Sequence, residues 1–329
     1  MAVAEALTLQ TPATEVAPQR FRALRVLATK KIACIAIVYI SVFYLAGIFA
    51  PILPIDGPND QPSPLTAELR NAGPSGDHWF GTDALGRDIF SRVIYATRTT
   101  LLITLVVTLT GGLVLGLGLG LLAGYRGGWV DTVINRVGEV LSGIPTLVLL
   151  LAITAAFRTR ITQFSFDLAD NTPLNVADSR AIVQFLIIVM ASLPFAWISS
   201  TRLTRSLVLS IREQPYVLSA EAVGAGTWRI ILRHILPGVV PFWLIGVTAG
   251  MAGIALAEVS LSFLGLGIDP PTASFGSLIA DGAGPRTFQL NPHLLLAPTI
   301  PIVLFFLAWN LLGDALVDVL EPRSSRRVK

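Results

Sequence analysis

The sequence predicts an all-α fold, a polytopic bundle of six membrane-spanning helices with both ends in the cytoplasm. Three observations predict it. The 329 residues are 53% hydrophobic and only 14% charged, with a mean hydropathy of +0.69, whereas soluble domains carry roughly 25% charged residues. Six charge-free apolar runs each reach at least 18 residues, close to the ~20 that a helix needs to cross the hydrocarbon core. Finally, 16 of the 24 basic residues fall in the two tails and in alternate connections, which fixes orientation, because cytoplasmic loops retain Lys and Arg.

Residues 1–31 form a cytoplasmic tail that carries Arg20, Arg22, Arg25, Lys30 and Lys31. The run Ile32–Ala50 is long for the core of a cleaved signal, about 7–15 residues, and reads as a retained anchor. Residues 51–98 lie outside. A core over 99–318 then holds the runs Thr99–Gly124, Val140–Phe157, Ala181–Thr201, Ile235–Ala257 and Leu294–Gly313. Pro145 interrupts the Val140 run, leaving it the shortest case for a span. Gly112, Gly116, Gly120 and Gly124 recur every four residues, a stripe that lets a neighbouring helix approach closely. Gly118-Leu-Gly120-Leu-Leu-Ala123 formally matches a dinucleotide fingerprint, but no strand precedes it, and helix packing accounts for it better. Arg126 and Arg136 mark one cytoplasmic connection; Arg202, Arg205, Arg212, Arg229 and Arg233 mark another. Residues 319–329 form a cytoplasmic tail with Arg323, Arg326, Arg327 and Lys329.

Several chemistries are excluded by what is missing. A Walker-type phosphate loop needs a lysine, and no lysine lies between Lys31 and Lys329. His78, His234 and His293 are too far apart in sequence to pair as metal ligands on one helix, and Cys34 is the only cysteine. Disulfide-stapled, collagenous and disordered classes fall with the composition. A net charge of +3, spread over membrane flanks, points to lipid rather than nucleic acid. An ion-coupled carrier would need charges within its spans, and an intramembrane enzyme would need paired catalytic groups there; the six runs show neither. Glu258 stands alone, after 23 uncharged residues. Such a carboxylate either gates transport or merely reaches water at the outer end of its span.

The cytoplasmic segment 202–237 is long for a connection yet apolar. Pro215 suits a helix start, followed by Tyr216, Val217, Leu218, Ser219, Ala220, Glu221 and Ala222. Gly224, Ala225 and Gly226 punctuate it before a second helical pattern with Trp228, Ile230, Ile231 and Ile235, and Pro237 closes it. Its apolar surface must be covered, either by the membrane surface or by a soluble partner.

The stretch Tyr216–Gly226, continuing to Arg233-His-Ile-Leu-Pro237, resembles the cytoplasmic loop of binding-protein-dependent ABC importer permeases. Aligned on Gly224 and Pro237, Leu218 stands where that family carries its leading glutamate. Three more stretches narrow the resemblance to the second permease of dipeptide, oligopeptide and nickel importers. His78–Arg92 contains Gly81-Thr82-Asp83, Gly86, Arg87 and Asp88, similar to the motif on the extracytoplasmic approach to span two. Leu261–Gly276 is similar to the outer loop after span five, with Phe275 where tryptophan is usual. Trp309–Pro322 matches the closing motif, with Val317 for a usual arginine. The outer segment between Arg158 and Arg180 is longer than usual. The resemblance covers roughly residues 79–323 and implies the type I importer permease fold in a bacterial inner membrane. It implies four kinds of partner: a second permease, two cytoplasmic ATPase subunits that hold ATP and Mg, an extracytoplasmic solute-binding protein, and lipid. This chain itself would hold no cofactor or metal and catalyse nothing. It implies a peptide cargo, with nickel or another small solute as the alternative.

Overall fold

The computed structural model describes residues 29–320. Arg20, Arg22, Arg25, Pro322, Arg323, Arg326, Arg327 and Lys329 lie outside the described residues. Among the described residues, six helices are long and apolar enough to cross a membrane, and the fold is helical without a named strand. Helix α1 spans Lys31–Phe49, α2 Ile89–Arg126, α3 Gly128–Ser142, α4 Thr146–Asn171, α5 Val176–Ile211 and α6 Pro215–Ala222. Helix α7 spans Thr227–Phe263, α8 Phe275–Gly282, α9 Pro285–Leu290 and α10 His293–Leu320.

Helices α2, α5 and α7 hold 38, 36 and 37 residues, far more than the ~20 that span hydrocarbon. Charged residues lie within their end turns, and counting only charge-free residues therefore placed the boundaries too tightly. Span two starts at Ile89 rather than Thr99, shortening the outer segment predicted over 51–98. Span five starts at Thr227, so Arg229, Arg233 and Pro237 lie on α7 and Pro237 closes nothing. Likewise the first ten residues of the segment 202–237 continue α5. The third span differs most. Val140–Phe157 is not one helix: α3 ends at Ser142, and α4 starts after Pro145 and runs through Arg158 and Arg160 to Asn171. Proline disfavours helical geometry at the residue before it and has no N–H to donate, so Pro145 is a boundary. The outer segment 158–180 is mostly helix, with only 172–175 outside α4 and α5.

Helix α2 contains a wide, π-helical stretch over Thr108–Leu117. The extra residue changes which glycines touch α5. A Cβ at Gly111 would lie 2.5 Å from that of Ala196, and one at Gly116 2.5 Å from Ser200. Gly120 and Gly124 abut Thr204 and Val208 in the same way, whereas a Cβ at Gly112 would meet only Thr108 Cγ2, at 3.8 Å. The contact row is therefore 111, 116, 120 and 124, and Gly112 leaves the predicted stripe. Wide turns loosen the helical ladder, and here α5 supplies partners: Ser200 Oγ donates to Gly112 O (2.9 Å) and Thr201 Oγ1 to Gly116 O (3.1 Å).

Among the described residues three large apolar clusters hold the bundle, beside a small one at Ala33 and Ala315. Phe43 of α1 stacks on Phe275 of α8 and tilts against Phe305 of α10, at centroid distances of 5.8 and 4.5 Å. Ile103 and Val107 of α2, Leu150 of α4, Ile188 of α5 and Leu261 of α7 form a second. Val208, Val217, Ile230, Ile235 and Val239 bind α5, α6 and α7 in the third.

Candidate functional site

On the outer side, the Gly81–Asp88 motif is a closed knot. Gly81 and Gly86 have φ of +79° and +73°, where a side chain is strained. A Cβ at Gly81 would also strike Ala72 O, and one at Gly86 would sit 2.6 Å from Leu65 Cδ1. Buried Thr82 donates to Leu69 O at 2.6 Å and accepts from Ala72 N at 3.0 Å. Asp83 is the hub. Its Oδ1 accepts from the Leu85 and Arg87 backbone N–H groups at 2.8 and 3.0 Å. Its Oδ2 accepts from Arg87 Nε at 2.7 Å and from Arg92 Nη1 at 2.6 Å. Burial alone would raise the Asp83 carboxyl, but these donors and the two guanidinium charges outweigh it and hold the group below the usual carboxylate range. Asp88 caps α2 by accepting from Ser91 N at 2.7 Å, and pairs with His78 Nδ1 at 3.0 Å. Asp83, Arg87 and Asp88 are all buried, so the motif folds the outer segment onto α2.

Sequence reasoning missed Arg92, which is fully buried with Nε and Nη2 unpartnered. Its signal was present: one charge inside the apolar run Ile89–Tyr95. Glu258 is buried too, and does not reach water at the end of its span. Ser262 Oγ donates to its Oε1 at 2.9 Å and accepts from Ile268 N at 3.0 Å, folding the loop after α7 back on the helix. Glu258 Oε2 has no hydrogen-bond partner. That loop is also clasped to α5, because Asp269 Oδ2 accepts from Arg180 and Gln184, both at 2.8 Å.

On the opposite side, α6 turns out of the bundle. Pro215 sits in its first turn, and Gly224, at φ +86°, lets the chain double back toward α7. Val217 is buried against Ile230 and Ile235, while Tyr216 and Leu218 are half exposed and Val223 is 90% exposed. Apolar groups thus point both into the bundle and away from it. Trp228 is exposed as well, unlike Ile230, Ile231 and Ile235. Ser219 Oγ donates to Pro215 O at 2.7 Å, within the helix. The chain from Ala220 to Gly226 makes a tight reversal, closed by Ala225 N on Ala220 O at 3.0 Å. Near the same end of α5, both carboxylate oxygens of Asp131 on α3 accept from Arg205. That two-pronged hydrogen bond holds the Asp131 carboxyl below its ordinary range. The spacing of these two residues gave no sign of the pair.

Residues 116–326 match the family described as binding-protein-dependent transport system inner membrane component. The chain is 33% identical over 310 residues to the dipeptide transport system permease protein DppC of Alkalihalophilus pseudofirmus, covering 94% of this chain and 91% of the relative. It is 33% identical to the glutathione transport system permease protein GsiD of Escherichia coli, over 88% of this chain and 85% of the relative. A GsiD of Pectobacterium atrosepticum is 34% identical, over 81% and 79%. Six spanning helices and these likenesses agree: the chain belongs to the inner-membrane permease components of binding-protein-dependent ABC importers and is a multi-pass inner-membrane protein.

Proposed function

We propose that this chain forms half of the translocation pathway of a peptide importer and couples it to ATP hydrolysis through α6. The observation that carries the coupling is the helix itself, with apolar side chains directed both inward and outward. Tyr216, Leu218 and Val223 offer a surface for a cytoplasmic ATPase subunit, and Val217 relays its motion into the cluster shared with α5 and α7. Closure of two ATPase subunits on ATP and Mg would displace α6 and rock the spans as rigid bodies. The positive charges beside α3, α5 and α7 support a cytoplasmic location for this side. A second permease completes the pathway and a solute-binding protein delivers cargo from outside. The chain itself holds no cofactor and catalyses no reaction. Peptide is the cargo because the relatives are named for dipeptide and glutathione, both small peptides.

The test uses Gly224→Val and Val223→Asp. Neither position packs against the bundle: a Cβ at Gly224 meets nothing within 4 Å, so valine at its φ of +86° strains only the reversal after α6, and Val223 is almost wholly exposed. The bundle should insert normally in both variants, while ATP-driven uptake of a labelled dipeptide and co-purification of the ATPase are lost. Normal uptake by both variants refutes the coupling role.

A further inference from the structure

Two cavities meet in the middle of the bundle. One, of about 290 Å³, lies between α2, α5 and α7, and is bounded by Thr108, Ser200 and Trp243. The other, of about 210 Å³, reaches toward the start of α4 at Thr146 and Leu150. Both share Ala196, Ser199, Gly250 and Ile254, so together they form one continuous trough. Its position is central: Thr108 lies halfway along α2, and Trp243–Ile254 straddle the midpoint of α7.

The lining differs from the rest of the exposed membrane-depth surface. On α4 that surface is Leu147, Val148, Phe157 and Phe164; on α1 it is Ile35, Val38 and Val42. The trough instead presents an exposed Ser199 with no protein hydrogen-bond partner, and exposed Gly246, Ala249, Gly250 and Gly253. A Cβ at Gly250 or Gly253 would meet nothing within 4 Å, so backbone is laid bare there. Hydrocarbon is a poor neighbour for a free hydroxyl, which loses its hydrogen bonds on leaving water. Trp243 forms the firm end of the wall. Its Nε1 donates to Ser200 Oγ at 2.8 Å, and Ser200 donates in turn to Gly112 O, tying α7, α5 and the wide turn of α2 into one relay. No charged side chain lines either cavity.

We propose that this trough is the cargo-facing wall of the pathway, with Ser199 and the bare backbone at Gly250 and Gly253 in contact with the transported molecule. This rests on the reading of the chain as a peptide permease, and adds which surface the peptide meets. Hydroxyls and carbonyl oxygens with a spare lone pair match a peptide main chain. A wall without fixed charge neither attracts nor repels a particular side chain, so it admits peptides of varied sequence.

The experiment places single cysteines at Ser199, Gly250 and Gly253 in a Cys34→Ala background, with Val148→Cys and Leu186→Cys as controls on other exposed faces. The complete transporter is kept in membrane vesicles and treated with a charged, water-soluble methanethiosulfonate. Thiolate is the reacting species and forms only where water reaches it, so the three trough cysteines should react at least about tenfold faster than the controls. Excess dialanine should slow that reaction, and modification should abolish uptake. Rates equal to the controls overturn the proposal, as does full modification with uptake intact. Uptake of dialanine by the unmodified Cys34→Ala transporter is measured separately. If that fails while the trough cysteines still label rapidly and modification stops ATP-driven uptake of another solute, the peptide assignment falls and the wall stands.

Discussion

Replacing Asp83 with alanine would test whether the outer knot is a structural device. The substitution removes the acceptor for four donors: the N–H groups of Leu85 and Arg87, Arg87 Nε and Arg92 Nη1. Arg92 is fully buried and two of its nitrogens are already unpartnered, so the variant leaves a buried guanidinium with no carboxylate hydrogen bond and only the charge of Asp281 nearby. Breaking a buried pair from one side costs about 3–5 kcal/mol. The loss should appear as local opening of the segment that Asp83 pins. Four amides report on it: Asn71 N on Asp83 O, Thr82 N on Ala72 O, Asp83 N on Arg87 O and Ile89 N on Gly81 O, all at 2.9–3.0 Å. At 1.4 kcal/mol per tenfold, protection against hydrogen exchange should fall by about 10²- to 4 × 10³-fold at these amides, and little in α4. Removing both charges with Asp83→Ala and Arg92→Met should restore part of the protection, because an apolar replacement of a buried pair is often neutral. Exchange within about threefold of the parent in the single variant would refute the reasoning. The pH dependence follows from the same contacts. The Asp83 carboxyl is held low in the folded state, so its contribution is intact at neutral pH. It is lost only as pH falls below the ordinary aspartate range and through the lower folded value.

Three further outcomes are expected. Gly116→Ala should destabilise the detergent-solubilised protein by about 1–3 kcal/mol through overpacking against Ser200, whereas Gly112→Ala should be tolerated; equal effects in thermal denaturation would contradict the register of the wide turn. Arg205→Lys keeps the charge but loses the two-pronged grip on Asp131. Since this pair is partly exposed, the cost should stay near about 1 kcal/mol, read by the same denaturation. Glu258→Gln preserves an acceptor for Ser262 and should retain both fold and uptake, while Glu258→Ala should cost about 1–3 kcal/mol by orphaning that hydroxyl; loss of uptake in the glutamine variant with an intact fold would assign Glu258 to gating instead.

The spans were legible because hydrocarbon demands long apolar runs, and those runs carry the signal in composition alone. Their ends were not, because a helix continues past the last apolar residue into water: Arg202 and Arg205 extend α5, and Arg229 and Arg233 begin α7. Pro145 was visible, yet only backbone geometry made it a boundary between two helices. The cytoplasmic turn at Pro215 and Gly224 could be read directly, since each residue type has one main conformational use there. The Asp83–Arg92 and Asp131–Arg205 pairs depend on how separate elements meet. Likewise the trough around Ser199 exists only once α2, α5 and α7 are placed together, and no local pattern encodes such a hollow.

The wide turn in α2 has a consequence best put in the language of crystal defects. One surplus residue within 108–117 acts as a dislocation, offsetting everything after it by about 100° relative to a regular helix. The outer half therefore directs Ile89, Val93 and Ala96 toward α1 and α10, while the inner half directs its glycines toward α5. One continuous helix thus serves two differently oriented neighbours. Rewinding the wide turn to regular geometry at full length would rotate one half against the other and carry Gly116, Gly120 and Gly124 away from α5. Deleting one residue between Gly112 and Gly116 would bring the contact row from spacings of five, four and four to a regular four throughout, so a plain α-helix one residue shorter would still turn its glycines toward α5.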